Sequence, residues 1–304
     1  ETQLKTTLAV TYFKHEGTMT SYDWNLNSAP FLDLNRSNTN LIFATAITRK
    51  FSAKFTNKTG VTYTKMYYDM DMNLAPHQMH PMELISQGKG NTDLISGYTS
   101  SSIGISEQVT LNVGVNAQVL TLNNSWTLEP RAGIKWQFSP KSSFALAYGL
   151  HSRMEKMDVY FVKTQGTGDR SVNKDLGFTR AHHVMLSYGF KISDNMNMKI
   201  EPYFQQLYDV PVIADSSYSV LNRRDFYVEN ALVNRGKGRN IGVDITLERY
   251  LNKGLYYMVT ASIFDSKYYG GGNGVTRCII GILLSTCWVA RNGWSGVTGK
   301  ICSV

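Results

Sequence analysis

The sequence predicts an all-β protein of long antiparallel strands joined up and down, and three observations support this. Apolar and polar residues alternate over long segments, most clearly at 126–138, WTLEPRAGIKWQF. Several segments exceed the ~5–6 residues of ordinary sheets and reach the about 9–11 that a strand needs to cross a bilayer. The connections alternate between short turns and long polar stretches. Together these features are typical of an outer-membrane β-barrel.

The alternation identifies the strands one by one, because successive side chains of a strand point to opposite faces. Besides 126–138, the clearest segments are 109–119, 144–150, 184–192, 241–247 and 255–263. About eleven strands precede residue 275, and about 11–12 are expected in all. The predicted fold is therefore an incomplete antiparallel up-and-down transmembrane β-barrel.

The connections fall into two groups that alternate along the chain. Short turns are expected at 49–53, 107, 139–142, 193–195 and 252–253, and long polar connections at 14–39, 67–93, 153–179 and 209–239. Short turns on one rim and long loops on the other are the pattern of outer-membrane barrels. The link at 123–125 is an exception, because it lies on the long-loop side and is short.

Aromatic residues gather near the short-turn ends of the strands, where one interfacial girdle of a barrel is expected. They are Trp136, Phe138, Phe144, Phe190, Tyr250 and Tyr257. The apolar rows would then face lipid and the polar rows a wet or plugged interior. The alternative is a soluble two-sheet sandwich with the apolar rows as its core, which would have shorter strands and no such loop asymmetry.

Composition is compatible with this fold. The 304 residues are 42% hydrophobic and carry a net charge of +8, with the basic residues spread along the chain rather than clustered. That spread argues against nucleic-acid binding. The chain opens on ETQLKTTLAV, without a basic and apolar leader, so an export signal is expected upstream of Glu1.

Two long segments resemble a known family. WTLEPRAGIKWQFSPKSSFALAYGLHSRME is similar to a segment of TonB-dependent outer-membrane receptors, and most similar to the subgroup with an N-terminal carboxypeptidase-regulatory-like domain. NALVNRGKGRNIGVDITLERYLNKGLYYMVTASIFDSKY resembles late barrel strands of the same family. With weaker similarity elsewhere, the resemblance runs from about Leu4 to Gly274.

The resemblance implies a receptor in the outer membrane of a Gram-negative bacterium. In this family a roughly 22-stranded barrel is occluded by an N-terminal plug, and TonB supplies energy for import of a scarce or bulky ligand. Residues 1–274 would be the C-terminal portion of the barrel. The implied partners are outer-membrane lipid, the missing plug and barrel half, TonB through the missing N-terminus, and a surface lipoprotein. No cofactor and no enzymatic activity are implied, and the ligand stays open among siderophores, glycans, peptides, cobalamin and metals.

The tail 275–304 departs from the rest of the chain. It holds all three cysteines, Cys278, Cys287 and Cys302, and it loses the alternation. A hydrophobic final strand or a disulfide pair is one interpretation. We favour a reading-frame shift near Val275, since a frame read two bases later permits a peptide that resembles this family's next strand. An out-of-frame tail should pack poorly against the sheet.

Candidate site residues lie on the polar rows and in the long loops. Charged inward residues are predicted to contact the plug through salt bridges, although a merely solvated lumen would carry a similar row: Glu129, Arg131, Lys135, Asp244 and Glu248. Loop residues on a rigid scaffold usually carry recognition, which makes four aromatic residues candidate ligand contacts: Tyr208, Tyr218, Phe226 and Tyr227.

A metal site is only weakly indicated. Segment 66–82 is rich in soft ligands that could bind copper, with His77, Met79, His80 and Met82 as candidates beside Met66, Met70 and Met72. The simpler interpretation is an extracellular loop with flexible methionines, and no metal is predicted. His151, His182 and His183 could suggest a barrel hydrolase, but no activated serine accompanies them.

Two other kinds of function remain as alternatives. A passive or structural barrel, of the porin or adhesin type, would have a signal peptide directly before Glu1. An outer-membrane enzyme would show activity in assays of the barrel.

Overall fold

The computed structural model describes residues 1–163, 171–222, 227–252, 255–272, 275–290 and 295–303. Their strands are β1 (Thr2–Tyr22), β2 (Ser28–Ser52), β3 (Phe55–Leu74), β4 (Glu83–Gly104), β5 (Val109–Leu120), β6 (Ser125–Ser139), β7 (Ser142–Arg153), β8 (Thr179–Ser193), β9 (Met196–Val212), β10 (Val233–Asn252), β11 (Leu255–Tyr269), β12 (Val275–Ala290) and β13 (Ser295–Ser303). A single helical turn, α1 (Met157–Tyr160), lies in the β7–β8 connection, and a 3-10 turn spans Val220–Asn222. No helix of the described residues is long and apolar enough to cross a membrane.

All the strands form one antiparallel sheet in sequence order, from β1 to β13. Each strand pairs with its neighbours in the chain, as the up-and-down prediction requires, and eleven strands precede residue 275. Among the described residues β1 and β13 are the two edges of the sheet. The predicted fold class is thereby confirmed.

The sheet has two chemically different faces. We call the face against which the described parts of the connections 154–178 and 213–232 pack the inward face, and the opposite face the outward face. On the outward face, large apolar side chains stay bare, from Leu8 on β1, 79% exposed, to Trp126 on β6, 65% exposed. No second layer of the described residues covers these rows. A soluble sandwich would bury them, so the arrangement favours a sheet that meets lipid.

The aromatic residues predicted for one girdle lie at the short-turn ends of their strands. Trp136, Phe138, Phe144, Phe190 and Tyr250 are exposed there, and Tyr257 is partly exposed. The rings of Phe138 and Tyr188 stack at 6.4 Å between centroids. A band of aromatic residues is typical of the interface between lipid and water.

Three of the long connections are shorter in the structure than the sequence predicts. Most of segment 14–39 is paired strand, because β1 runs to Tyr22 and β2 begins at Ser28. Similarly, β3 and β4 reduce segment 67–93 to a connection at 75–82, and β9 and β10 shorten 209–239 to 213–232. In these extensions the outward row becomes polar, as suits strands that project beyond a bilayer, while apolar residues such as Leu34, Met70 and Met72 lie buried on the inward face.

The β7–β8 connection folds across the inward face and docks on β4. Val162 forms an antiparallel bridge with Ser86, the Lys163 amide donates to the carbonyl of Ile85 at 2.7 Å, and the Gln87 amide donates to Phe161. This is possible because β5 ends at Leu120, opposite Leu94, and leaves the β4 residues before Leu94 without a β5 partner. The connection therefore acts as a short extra strand beside β4.

This docking explains the exceptional short link between β5 and β6. The connection covers that link, so that Leu120 is fully buried. The Asn123 side-chain amide also donates to the carbonyls of Lys174 and Leu176 at 3.0 and 2.7 Å. Tyr160 is buried in the same cluster, and burial raises the pKa of its phenol to about 12, so it stays neutral there.

The close approach of the connection requires a glycine at position 88. A Cβ atom at Gly88 would lie 2.7 Å from the ring of Phe161. We expect Gly88→Val to expel Phe161 and to weaken docking by about 1–3 kcal/mol. Trypsin should then cleave the connection at Lys156, Lys163 or Lys174 roughly tenfold faster, as followed by mass spectrometry.

The matched control is Gly97→Val on the same strand, where nothing lies within 4 Å of an added Cβ. Equal cleavage rates in the two variants would show that the connection does not depend on the Phe161–Gly88 contact.

β12 and β13 continue the sheet as backbone strands. β12 pairs with β11, and β13 pairs with β12 from Gly281 to Val289. The boundary after residue 274 and the out-of-frame origin of the tail both stay predictions.

Candidate functional site on the inward face

Glu129 lies at the centre of the inward face. Pro130, which has no backbone N–H, follows it on β6, and the β6–β7 ladder ends next to it at the pair Arg131 and Gly149. Beyond that point the Ser152 amide donates to the Glu129 carboxylate at 3.1 Å, and the Ser152 hydroxyl bonds to the same oxygen. The carboxylate thus accepts hydrogen bonds from β7 where backbone pairing between β6 and β7 has ended.

Three further side chains donate to this carboxylate. Asn116 and Gln118 on β5 reach it at 3.1 and 2.6 Å, and Arg131 on β6 reaches it at 2.7 Å. Glu129 is only 1% exposed, whereas the Arg131 side chain is about half exposed. The buried carboxylate therefore holds a guanidinium whose outer edge still faces the interior.

The polar contacts continue on both sides of Glu129 along neighbouring strands. Towards β4, the Ser96 hydroxyl donates to Asn116 at 3.0 Å. Towards β8, His151 lies 4.7 Å from His183 between ring centroids, and His183 contacts Gln205 on β9 at 2.6 Å. The row then continues to β10 and β11 through hydrogen bonds of 2.5 Å, from Asn240 to Gln205 and from Ser266 to Asn240.

A cavity of about 710 Å³ lies beside this polar row. Its wall combines Arg131, His151 and His183 with small residues such as Gly133 and Ala147. Small side chains leave room, while the polar groups present hydrogen-bond donors and acceptors to whatever occupies the interior. The arrangement can bind a polar protein surface, and no nucleophile paired with a base is evident among these residues.

The other predicted inward residues lie on the same face but outside this row. Asp244 on β10 is opposite Glu201 and Ser262, and Lys135 on β6 is opposite Thr110 and Ala145. Glu248 accepts a hydrogen bond of 3.4 Å from the Tyr256 hydroxyl. The structure therefore joins Glu129 and Arg131 directly and leaves Lys135, Asp244 and Glu248 as separate inward charges.

The predicted aromatic ligand contacts are dispersed. Tyr208 lies in β9 rather than in a loop, and its ring stacks on His182 at 5.1 Å. Tyr218 packs against the core cluster under the β7–β8 connection, and Tyr227 packs against the cluster around Leu34. Phe226 lies outside the described residues.

The candidate copper ligands divide between two places in the structure. Met66, Met70 and Met72 are buried on the inward face of β3. Met79 and Met82 are exposed in the connection 75–82, where the rings of His77 and His80 meet edge to face at 5.5 Å. In the described residues no group of three or more His, Cys, Asp or Glu side chains could hold a metal ion.

Sequence reasoning found the inward row but missed its partners. Asn116 and Gln118 come from β5 and Ser152 comes from β7, and only the strand register brings them to Glu129. The one signal available was Pro130 within an alternating strand, because a proline there predicts an interrupted ladder.

Comparison with known proteins gives the fold a context. No protein-family model matches the chain, and no curated protein matches its sequence. Solved structures do match. The ferric-catecholate import receptor Fiu of Escherichia coli superposes with a TM-score of 0.69 at 12% identity, over 99% of this chain and 51% of that one.

Two further structures agree. The outer-membrane transporter YddB of Escherichia coli gives a TM-score of 0.66 at 14% identity, over 98% of this chain and 48% of that one. The pyoverdine receptor FpvA of Pseudomonas aeruginosa gives 0.61 at 9% identity, over 100% of this chain and 51% of that one. The chain thus has the fold of these barrel walls and spans about half the length of the structures it matches.

Proposed function

We propose that the chain is the C-terminal part of the barrel of a TonB-dependent outer-membrane receptor. In intact form this receptor would import a scarce or bulky ligand across the outer membrane of a Gram-negative bacterium, with energy transmitted by TonB. The observation that carries the proposal is the bare apolar outward face on a sheet shaped like the walls of outer-membrane transporters. In lipid, strands need such a face and a closed set of backbone hydrogen bonds.

The open edges of the sheet agree with a larger barrel. β1 presents an unpaired edge along Thr2–Tyr22 in the described residues, and such an edge must be covered if it lies in a bilayer. We infer that strands of the other barrel half pair with it. The matched structures are about twice as long as this chain, which leaves room for that half and a plug.

The inward charges would then contact the plug. Arg131 is held at one edge by Glu129 and keeps its other edge free of cover, beside a cavity large enough for a loop of protein. Lys135, Asp244 and Glu248 add charges of both signs on the same face. Salt bridges from this face to a plug can form and break as the plug rearranges, which a passive pore would not require.

Finer features extend this proposal. The quoted resemblances favour the subgroup with an N-terminal carboxypeptidase-regulatory-like domain, a surface lipoprotein as partner, and a frame-shifted tail after residue 274. The neighbours in structure include receptors for ferric catecholates and pyoverdine and a copper transporter, so the fold serves chemically different ligands.

The coding DNA on both sides of the chain tests the assignment. We expect a plug and a TonB box to be encoded upstream of Glu1. A signal peptide directly before Glu1 would instead favour the porin or adhesin alternative. The same DNA should contain, after codon 274, a shifted frame with an alternating strand, and its absence would remove the frame-shift hypothesis.

A further inference from the structure

A second cavity, of about 440 Å³, lies between the inward face of β1–β3 and the start of the β7–β8 connection. We call it the methionine cavity and define it by Met66, Met70, Met154, Met157, Phe13 and Asn38. Its volume is within the range of small-molecule sites, which is roughly 300–1,000 Å³. It is separate from the cavity beside Glu129, with which it shares no lining residue.

Thioether side chains dominate its apolar wall. Met66 and Met70 come from β3, Met157 from α1, and all three are buried, while Met154 is partly buried. Four of the twelve methionines of the chain therefore meet at one place. Methionine is flexible and polarizable, and it adapts well to the faces of flat apolar ligands.

Asn38 contributes an unsatisfied polar atom to the wall. The side-chain oxygen of Asn38 is buried, and no hydrogen-bond donor of the described residues lies within reach of it. An unpaired buried acceptor is costly, so a donor from a bound molecule would find a favourable partner there. By contrast, Asn40, which also lines the cavity, donates its amide to the hydroxyl of Thr11 at 3.0 Å.

The charges around the cavity balance. Arg36 and Asp158 form an ion pair at 2.6 Å with both side chains largely buried, and this pair also fastens the connection to β2. The other two charged residues of the wall, Glu155 and Lys156, are of opposite sign. The cavity therefore offers no net charge to attract an anion or a cation.

We propose that the methionine cavity binds an uncharged organic molecule with a flat apolar body and one N–H or O–H group, which donates to Asn38. The molecule would lie against the four methionines, with Phe13 at one side. This inference rests on the proposed function, because it names a ligand class for the extracellular end of the import path.

Indole is a suitable probe, since it has an apolar ring and one N–H donor, and 1-methylindole is its counterpart without the donor. The 304-residue chain would be labelled with ¹³C at the methionine methyl groups and studied by NMR in detergent micelles. We expect indole to shift the signals of Met66, Met70, Met154 and Met157 saturably. The signals of the exposed Met19 and Met82 should not shift saturably with indole.

The second arm tests the hydrogen bond. 1-Methylindole should bind about threefold to tenfold more weakly than indole, as expected for the loss of one hydrogen bond. Asn38→Leu should abolish that difference, whereas the matched Asn40→Leu variant should retain it. Equal affinity for the two probes in the unmodified chain, or unchanged signals of the four methionines up to the solubility limit of indole, would overturn the proposal.

The two proposals fail separately. Insertion into lipid is measured without any ligand, so a chain that inserts but does not bind indole loses only the cavity assignment. A chain that binds indole but does not insert loses only the transport assignment.

Discussion

Replacing Glu129 by alanine should lower the free energy of unfolding by about 2–4 kcal/mol. The substitution removes the acceptor of five hydrogen bonds from Asn116, Gln118, Arg131 and Ser152. The N–H groups of Asn116, Gln118 and Ser152 would then lack an acceptor, at a position that is almost closed to solvent. Unfolding of the chain in detergent, followed by heat or urea, measures the loss.

Two controls separate this role from a general effect of removing a carboxylate. Glu129→Gln keeps one oxygen for the Ser152 amide and should cost clearly less than Glu129→Ala. Glu248→Ala removes an inward carboxylate that is partly exposed and accepts a long hydrogen bond of 3.4 Å from Tyr256. This variant should lose under about 1 kcal/mol of stability. If the alanine variants at 129 and 248 were equally stable, Glu129 would not organise the β6–β7 junction.

Placing an arginine at Leu186 should destabilise the membrane-inserted chain by about 2–4 kcal/mol, the cost of a charge on a lipid face near mid-membrane. Leu186 lies in the middle of β8, opposite Leu146, and is 37% exposed on the outward face. If this face met water instead of lipid, an arginine there would be well tolerated. The size of the destabilisation therefore shows whether lipid surrounds Leu186.

The adjacent residue provides the matched control. Ser187 points inward opposite Ala145, where a long side chain can reach the wet interior. Ser187→Arg should therefore cost less than about 1 kcal/mol. Refolding into lipid vesicles and unfolding in urea compares the two variants, and equal costs would mean that the outward face is not in contact with lipid.

The sequence predicts much of the wall of this protein. Alternation places Trp126, Leu128 and Ile134 on one face, and Glu129 and Arg131 on the other, because strand geometry leaves no other choice once the period is two. The eleven strands before residue 275 and the short turns follow from the same pattern, whereas β12 and β13 bring the total in the described residues to 13 rather than the 11–12 expected. The long extensions of β1 to β4 escape this pattern, since a strand that projects into water needs no apolar row on its outward face.

Contacts between distant segments could not be predicted in the same way. The docking of Val162 on Ser86 joins residues 76 positions apart, and nothing in either segment indicates the other. For the same reason the sequence presents the methionines of segment 66–82 as one group. The structure divides them between a buried wall, with Met66 and Met70, and an exposed connection, with Met79.

The most direct test of the central claim is to measure what surrounds each residue of β8 in a bilayer. In a variant with Cys278, Cys287 and Cys302 replaced by serine, a nitroxide label would be placed in turn at 183–190, and its collisions with oxygen and with a water-soluble nickel chelate measured. We predict a strict period of two, with oxygen dominant at Val184, Leu186, Tyr188 and Phe190 and the chelate dominant between them. The account would be contradicted if labels at Val184, Leu186, Tyr188 and Phe190 were shielded from both reagents or accessible to the chelate.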